Sequence, residues 1–433
     1  MIKFYTKLIQ QLAKRYIAKH QPIVVGVTGS AGKSSAVAAI GTVLRQLLPN
    51  SVVYVPSRQL NGELLPLTIF QIEYFGPTLQ YLITTLVHVI RRYISQTKPY
   101  DIIVLEYGVD HVGEMDMLIG IAKPDYTVVT TIDQVHFGDP KITWQEKSKL
   151  LTDTTKYIYM PQDVADHWCT NHTLSSSRMI TFDVHNKQSD IDLIDYEFIL
   201  DNPEQIGLMG RVLIDNDMIE VIANGIEYYY TIYASVYHIA RMMCDPIQRL
   251  PVFIHLPPGR ATLLSVYDSI IVDSSYNNSP IGMTHMLDIV QRMREQFPEY
   301  RLICLIGEMR ELYDATESAH QLLAQQLIDL RSDYILIGES ARHYMYDILS
   351  DHYGDCCVYI DNSRSLYWVY SLLEQDHQKT IIFVKGSQNT IYLEEAIKPL
   401  LADQEDSMLL CRQSDWWMIK KEQWFEQCTY SLI

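Results

Sequence analysis

Three glycines, a lysine and three serines crowd the segment VVGVTGSAGKSS, Val24 to Ser35. Gly26, Gly29 and Gly32 let the backbone turn tightly and bring N–H groups close to anionic oxygens. A helix starting at the end of such a loop adds partial positive charge. Lys33 is long enough to reach the terminal phosphates of a nucleotide, and Ser34 can offer an oxygen to magnesium. The pattern is G-x-T-G-x-x-G-K-S, with Val27 where the usual phosphate-loop motif has its first glycine. Gly29, Ser30, Gly32, Lys33, Ser34 and Ser35 are therefore the candidate nucleotide-phosphate site.

A cradle of this kind needs a strand before it and a helix after it. The run Val24–Val27 supplies the strand, and Ile40, Val43, Leu44 and Leu47 recur at helical spacing behind the loop. Similar apolar runs follow at Ile102–Leu105, Tyr126–Thr130, Ile270–Val272, Leu302–Ile306, Tyr334–Ile337, Val358–Ile360 and Ile381–Val384. Runs of this length suit strands buried on both faces. Their alternation with helical patterns predicts parallel α/β sheets. The expected organisation is a short helix over 1–22, a phosphate-loop parallel-sheet ATPase domain over 23–257, and a Rossmann-like α/β domain over 258–433. HLPPGRATL, His255 to Leu263, is the linker candidate because prolines and a glycine punctuate it. The polar-rich stretch 163–224 is expected to form an antiparallel β insertion.

The chain has 433 residues and a formal net charge of −17. Nucleic-acid binding needs a basic stripe, so this balance argues against such a partner. The cysteines number seven, an odd and scattered set without CxxC spacing, which points to reduced thiols in a cytoplasmic protein. The N-terminus has basic residues throughout and no small-residue cleavage site, and reads as an amphipathic helix. The longest apolar stretch, Leu79 to Ile90, is too short to span a bilayer and is expected to be a buried helix. A monomer is expected.

GVTGSAGKSS resembles the nucleotide loop of the Mur ligases, the ATP-dependent amide-forming enzymes of peptidoglycan synthesis. The resemblance continues in the order of the D-alanyl-D-alanine-adding (MurF-type) branch. LNGELLPLTIF is similar to N-N-E-I-G-x-P-L-T, VLEYGVDHVGEM to L-E-M-G-x-N-x-P-G-E-I, and AKPDYTVVTTIDQVHF to K-P-x-x-x-x-I-T-N-x-x-x-A-H-L. PPGR, IVDSSYNNSP, LIGEMRELYDATESAH and VKGSQNTIYLEEAI resemble the later signatures, so the likeness runs from about Ile23 to Leu400.

The resemblance implies that ATP phosphorylates a carboxylate and an amine attacks the resulting acyl phosphate. Lys33 and the loop amides would hold the β- and γ-phosphates. Two magnesium ions are implied, held by Ser34, by Glu106 at the end of its strand, by His136, and by Lys147 in carbamate form. Lys149, two residues on, competes for the last role. Arg260 would contact ATP phosphate, and Asp273, Tyr276 and Asn277 the ribose and adenosine. Asn61, Lys385 and Ser387 would serve the substrates, a muramyl peptide and D-Ala-D-Ala. Closure would carry Arg260 and Lys385 over ATP.

The chain also departs from the pattern. The adenine motif G-x-H-N-x-x-N-x-x-A-A reads GIEYYYTIYAS, with Glu227, Tyr228 and Thr231 at the expected His, Asn and Asn. D-D-S-Y-N reads D-S-S-Y-N, so Ser274 takes an acidic place. Gln388 replaces the arginine of K-G-S-R, and Thr131 the asparagine of I-T-N. Only 22 residues precede Ile23, where relatives carry a UDP-sugar domain of about 80–100 residues, an ordinary domain size. Two other readings therefore stay open: a ligase for a non-UDP acceptor, and a nucleotide-binding scaffold with decayed chemistry. The retained Lys33, Ser34, Glu106, His136 and Lys147 set argues against the scaffold.

Overall fold

The computed structural model describes residues 2–30, 32–56, 65–72, 79–95, 98–109, 111–132, 140–171, 178–183, 189–200, 206–214, 217–225, 228–243, 252–266, 269–310, 312–360, 363–364, 379–387, 391–401 and 404–430. The chain divides into two compact units. One comprises 1–196, 210–221 and 227–254, the other 197–209, 222–226 and 255–433.

The first unit opens with α1 (Ile2–His20), the expected N-terminal helix. Ile9, Ala13 and Tyr16, on one helical face, are buried against Leu65, Phe70 and Val89. Burying each large apolar chain stabilises by about 1.5–3 kcal/mol, enough to dock a helix whose other face is basic. Strand β1 (Ile23–Thr28) then enters a sheet that has ten strands among the described residues, as the third from one edge. The helices that follow are α2 (Lys33–Leu47), α3 (Leu65–Ile69), α4 (Leu79–Ile94), α5 (Glu114–Ile121), α6 (Pro140–Asp153), α7 (Gln162–Asn171) and α8 (Tyr228–Met243). The remaining strands are β2 (Val53–Tyr54), β3 (Ile102–Glu106), β4 (Tyr126–Val129), β5 (Tyr157–Pro161), β6 (Arg178–Asp183), β7 (Ile191–Ile199), β8 (Gly207–Ile214), β9 (Asp217–Ala223) and β10 (Val252–Ile254).

Their order is β10-β9-β8-β7-β6-β5-β4-β1-β3-β2. β1 pairs in parallel with β3 on one side and β4 on the other. The chain leaves β1, builds one flank, and returns to the other, so the end of β1 is a switch point where α/β sheets open a crevice for ligands. The helix α2 packs along α8. Of the antiparallel β insertion expected over 163–224, β8 and β9 lie side by side with only residues 215 and 216 between them, the spacing of an antiparallel hairpin, but the stretch before them differs. Gln162–Asn171 is helical, and β6 pairs in parallel with both β5 and β7, extending the same sheet. Burial along β7 alternates only at its two ends, and alternation alone does not distinguish the two directions of pairing. The expected buried helix at Leu79 to Ile90 lies within α4, but Ile83, Val87 and Ile90 are exposed.

The second unit holds β11 (Thr262–Val266), β12 (Ser269–Ser274), α9 (Pro280–Gln296), β13 (Arg301–Gly307), α10 (Thr316–Ile328), β14 (Asp333–Ile337), β15 (Cys357–Ile360) and β16 (Thr380–Lys385). Six described strands run in the order β11-β12-β16-β13-β14-β15. All pairs from β12 to β15 are parallel, and β11 is an antiparallel edge. β16 inserts between β12 and β13, so a second switch point falls at their C-terminal ends. Ser279 caps α9, its Oγ accepting from Gly282 N at 3.2 Å with Pro280 at the first position of the helix. No described helix is long and apolar enough to cross a membrane.

Candidate functional site

The glycine loop leaves β1 at its C-terminal end. Gly29 has φ +147°, a region that a side chain strains to occupy. A Cβ there would also lie 2.0 Å from Thr130 Oγ1 and 2.8 Å from Thr131 O. The loop is drawn against the segment after β4 because Ser30 N donates to Thr131 O at 2.5 Å. Thr131, at the family's asparagine position, thus holds the loop through its backbone. Gly32 at φ 76° turns the chain into α2, whose first residue is Lys33. This left-handed entry aims the helix N-terminus into the loop.

Ser34, in the first turn of α2, donates from Oγ to Glu106 Oε2 at 2.8 Å. Glu106 ends β3 and is only 4% exposed. A buried carboxylate and a hydroxyl, both hard oxygen donors beside a phosphate loop, form a donor set that fits magnesium. Lys33 Nζ donates to Gly29 O at 3.0 Å, keeping the ammonium over its own loop. Lys147, on α6 and 2% exposed, donates to Ser30 Oγ at 2.7 Å. Lys149 points elsewhere. It pairs with Asp116 at 2.7 Å and Glu146 at 2.5 Å, and these contacts, Asp116 first, raise its pKa. The geometry therefore brings Ser30, Ser34, Glu106 and Lys147 to the loop and turns the half-buried Lys149 to Asp116 and Glu146 instead. Ser35 is buried in α2. His136 and Asn61 lie outside the described residues.

In the second unit the turn after β12 gathers most of the expected residues. Gly259 O accepts from Tyr276 N at 3.0 Å, and the Arg260 guanidinium lies 4.2 Å from the centre of the Tyr276 ring. Asn277 is exposed. Asp273 turns inward. Its Oδ1 accepts from Ser275 N at 3.0 Å, and Oδ2 is buried without a hydrogen-bond partner among the described residues. Burial pushes its pKa up to about 6. Lys385 ends β16, and its buried Nζ donates to Ser274 Oγ and Asn277 O, each at 3.1 Å. With a serine at the family's acidic position, both of these partners are neutral. Burial and then the charge of Arg260 pull the Lys385 pKa down to about 8. Ser387 Oγ accepts from Arg310 N at 3.0 Å, and Arg310 Nε donates to Glu308 at 2.7 Å.

Sequence reasoning missed the support behind this turn. Arg412 donates to Ser275 O at 2.9 Å and Tyr276 O at 3.2 Å, and pairs twice with Glu394 at 2.7 and 2.5 Å. Lys421 reaches the same Glu394 at 2.9 Å. All three are buried. The only local signal was a charged residue inside an otherwise apolar run, as at Glu394.

A parallel sheet with a glycine loop at its switch point, a lysine over the loop and a serine–carboxylate pair beside it defines a phosphate-loop α/β nucleotide-binding protein. Residues 27–216 match the Mur ligase middle domain. It is 22% identical over 297 residues to a UDP-N-acetylmuramoyl-tripeptide–D-alanyl-D-alanine ligase of Rickettsia prowazekii, covering 66% of this chain and 63% of that one. With the ligase of the same name from Escherichia coli it shares 21% over 396 residues, covering 87% and 76%. The alignments thus span about two-thirds to three-quarters of these relatives. The fold matches a MurF ligase of Thermotoga maritima, crystallised with ADP, at a TM-score of 0.68 and 18% identity over 93% of this chain and 84% of that one.

Proposed function

We propose that the chain is an ATP-dependent carboxylate–amine ligase of the MurF kind, joining D-alanyl-D-alanine to a muramyl peptide through an acyl phosphate. The observation that carries this reading is the Ser34–Glu106 contact at 2.8 Å beside the loop that Lys33 and Lys147 face. The names of the relatives support the substrate class.

In this proposal the loop amides and the α2 N-terminus bind the ATP phosphates, and Lys33 swings from Gly29 O to the terminal one. Ser34, Glu106 and His136 would hold magnesium, which when bound would spread the charge of a transferring phosphoryl group. Lys147, as a carbamate, supports the same donor set. Its Ser30 contact keeps it at the loop. Phosphoryl transfer needs positioning more than covalent help from the protein, so a rigid loop matters more than any single base. Once activated, the carboxyl is attacked by the amine, and phosphate leaves. Arg260 serves the nucleotide phosphates, Tyr276 and Asn277 the adenosine end, and Lys385 and Ser387 the substrates. Asp273, buried and bonded to Ser275, shapes the turn that presents them.

The test is a panel of acceptors and amines read by product mass and phosphate release. UDP-muramyl tripeptide with D-Ala-D-Ala is expected to give an amide and one phosphate per bond formed. Release only with an acceptor lacking UDP would replace the substrate assignment. A Lys33→Ala protein that still turns over ATP would remove the site assignment itself.

A further inference from the structure

The helix α4 carries an apolar stripe that its own unit does not cover. Thr85 and Val89 point into the core, whereas Ile83 and Val87 are each 57% exposed, Ile90 42% and Ile94 66%. The steps between them are four, three and four residues, so the four side chains line one continuous strip of the helix surface. Soluble chains rarely leave such a strip open without a use for it.

The strip has a basic setting. Arg91 and Arg92 occupy the last turn of α4. Lys19 of α1 donates to Tyr93 O at 3.3 Å and Ser95 O at 2.8 Å, which places its ammonium at the same end as Ile94. His20 is disfavoured as a cation first by burial and then by the nearby charges of Lys19 and Lys98. Lys7, Lys14 and Arg15 are further exposed cations of α1. Neither 1–22 nor 79–100 contains an aspartate or glutamate, in a chain of net charge −17. Positive charge is concentrated where the apolar strip is exposed.

We propose that α4, with the basic end of α1, docks this protein on an anionic lipid surface without spanning it. The Ile83–Ile94 strip would enter the boundary between headgroups and acyl chains, and Lys19, Arg91 and Arg92 would meet the lipid phosphates. A second copy of the chain suits the strip less well. Four side chains offer far less than the roughly 1,200–2,000 Å² that a stable pair buries. The inference goes beyond the ligase reading and stands or falls separately from it.

Vesicle flotation of the full chain tests it, using phosphatidylcholine vesicles and vesicles of equal parts phosphatidylcholine and phosphatidylglycerol. The protein is expected to float with the anionic vesicles and to be released by salt. Changing Arg91→Ala and Arg92→Ala together is expected to weaken that binding by about thirtyfold. Changing Ile83, Val87, Ile90 and Ile94 to Ser is expected to weaken it more than about a hundredfold, with ATP-dependent phosphate release unchanged as a check on folding. Absence of flotation by the unaltered chain, or equal flotation by the Ser variant, overturns the proposal. Sedimentation showing a dimer that the Ser variant abolishes, with no vesicle binding, assigns the strip to a second copy instead.

Discussion

Ser34 Oγ and Glu106 Oε2 meet at 2.8 Å although 72 residues separate them in the chain. The contact joins the first turn of α2 to the last residue of β3, across the parallel pairing that sets Val27 beside Glu106. A ladder register thus fixes a chemical distance, and slipping β3 by one residue would turn Glu106 to the opposite face.

On the proposed reading the two groups hold one magnesium together, so Ser34→Ala and Glu106→Gln are each expected to lower the turnover number by about 10²–10³-fold. The double variant should be little worse than either alone. Phosphate release measured across a magnesium titration checks this. Fully additive losses would show that the pair does not share a task.

Lys147 and Lys149 are separated by two residues and by their surroundings. Lys147→Ala removes a buried contact to Ser30 and is expected to abolish turnover. Lys149→Ala breaks an exposed pair with Asp116 and a contact with the buried Glu146, and is expected to lower the melting temperature while keeping near-native activity. Side-by-side kinetics and thermal melts of the two variants decide the matter. An inactive Lys149→Ala protein with a normal melt would reverse the assignment.

Gly29 tolerates no side chain. A methyl group there meets Thr130 Oγ1 and the Thr131 backbone, in a backbone region open almost only to glycine. Gly29→Ala is expected to cost about 1–3 kcal/mol and to weaken ATP binding as the loop shifts. Calorimetric titration with ATP, together with a denaturant melt, measures both.

Lys385 links stability to pH. Its folded pKa of about 8 lies below the unfolded value of 10.5, so the unfolded chain binds more protons between those limits. Stability should therefore rise as pH climbs from about 8 towards 10.5 and stay flat, at its full penalty, below 8. Lys385→Met is expected to remove the rise and stabilise the protein at pH 7 by up to about 3 kcal/mol, while impairing the ligase reaction. Denaturant melts at several pH values test the sign.

Much of this architecture was legible in the sequence because its strands are buried on both faces and read as plain apolar runs. The loop was legible because phosphate binding restricts residue type at nearly every position. The parallel pairing of β6 with β5 was not, since Arg178–Asp183 sits in a polar-rich stretch that carries no sign of direction. Nor was the outward strip of α4. In LQYLITTLVHVI the apolar residues gather on one broad face, and only tertiary packing decides which edge of it is covered. The Arg412–Glu394–Lys421 group escaped for another reason: ion pairing across long separations leaves no periodic trace. Lys147 could be told from Lys149 only once α6 was placed.

Arg412 also sets a schedule for making the protein. It fastens the turn at Ser275 and Tyr276, yet it is synthesised 136 residues after Tyr276. While the ribosome is still translating, that turn exists without its clasp. That turn of the second unit thus matures only once Arg412 has been made, and a transcript truncated shortly before Arg412 yields a chain that retains its glycine loop but lacks a settled turn.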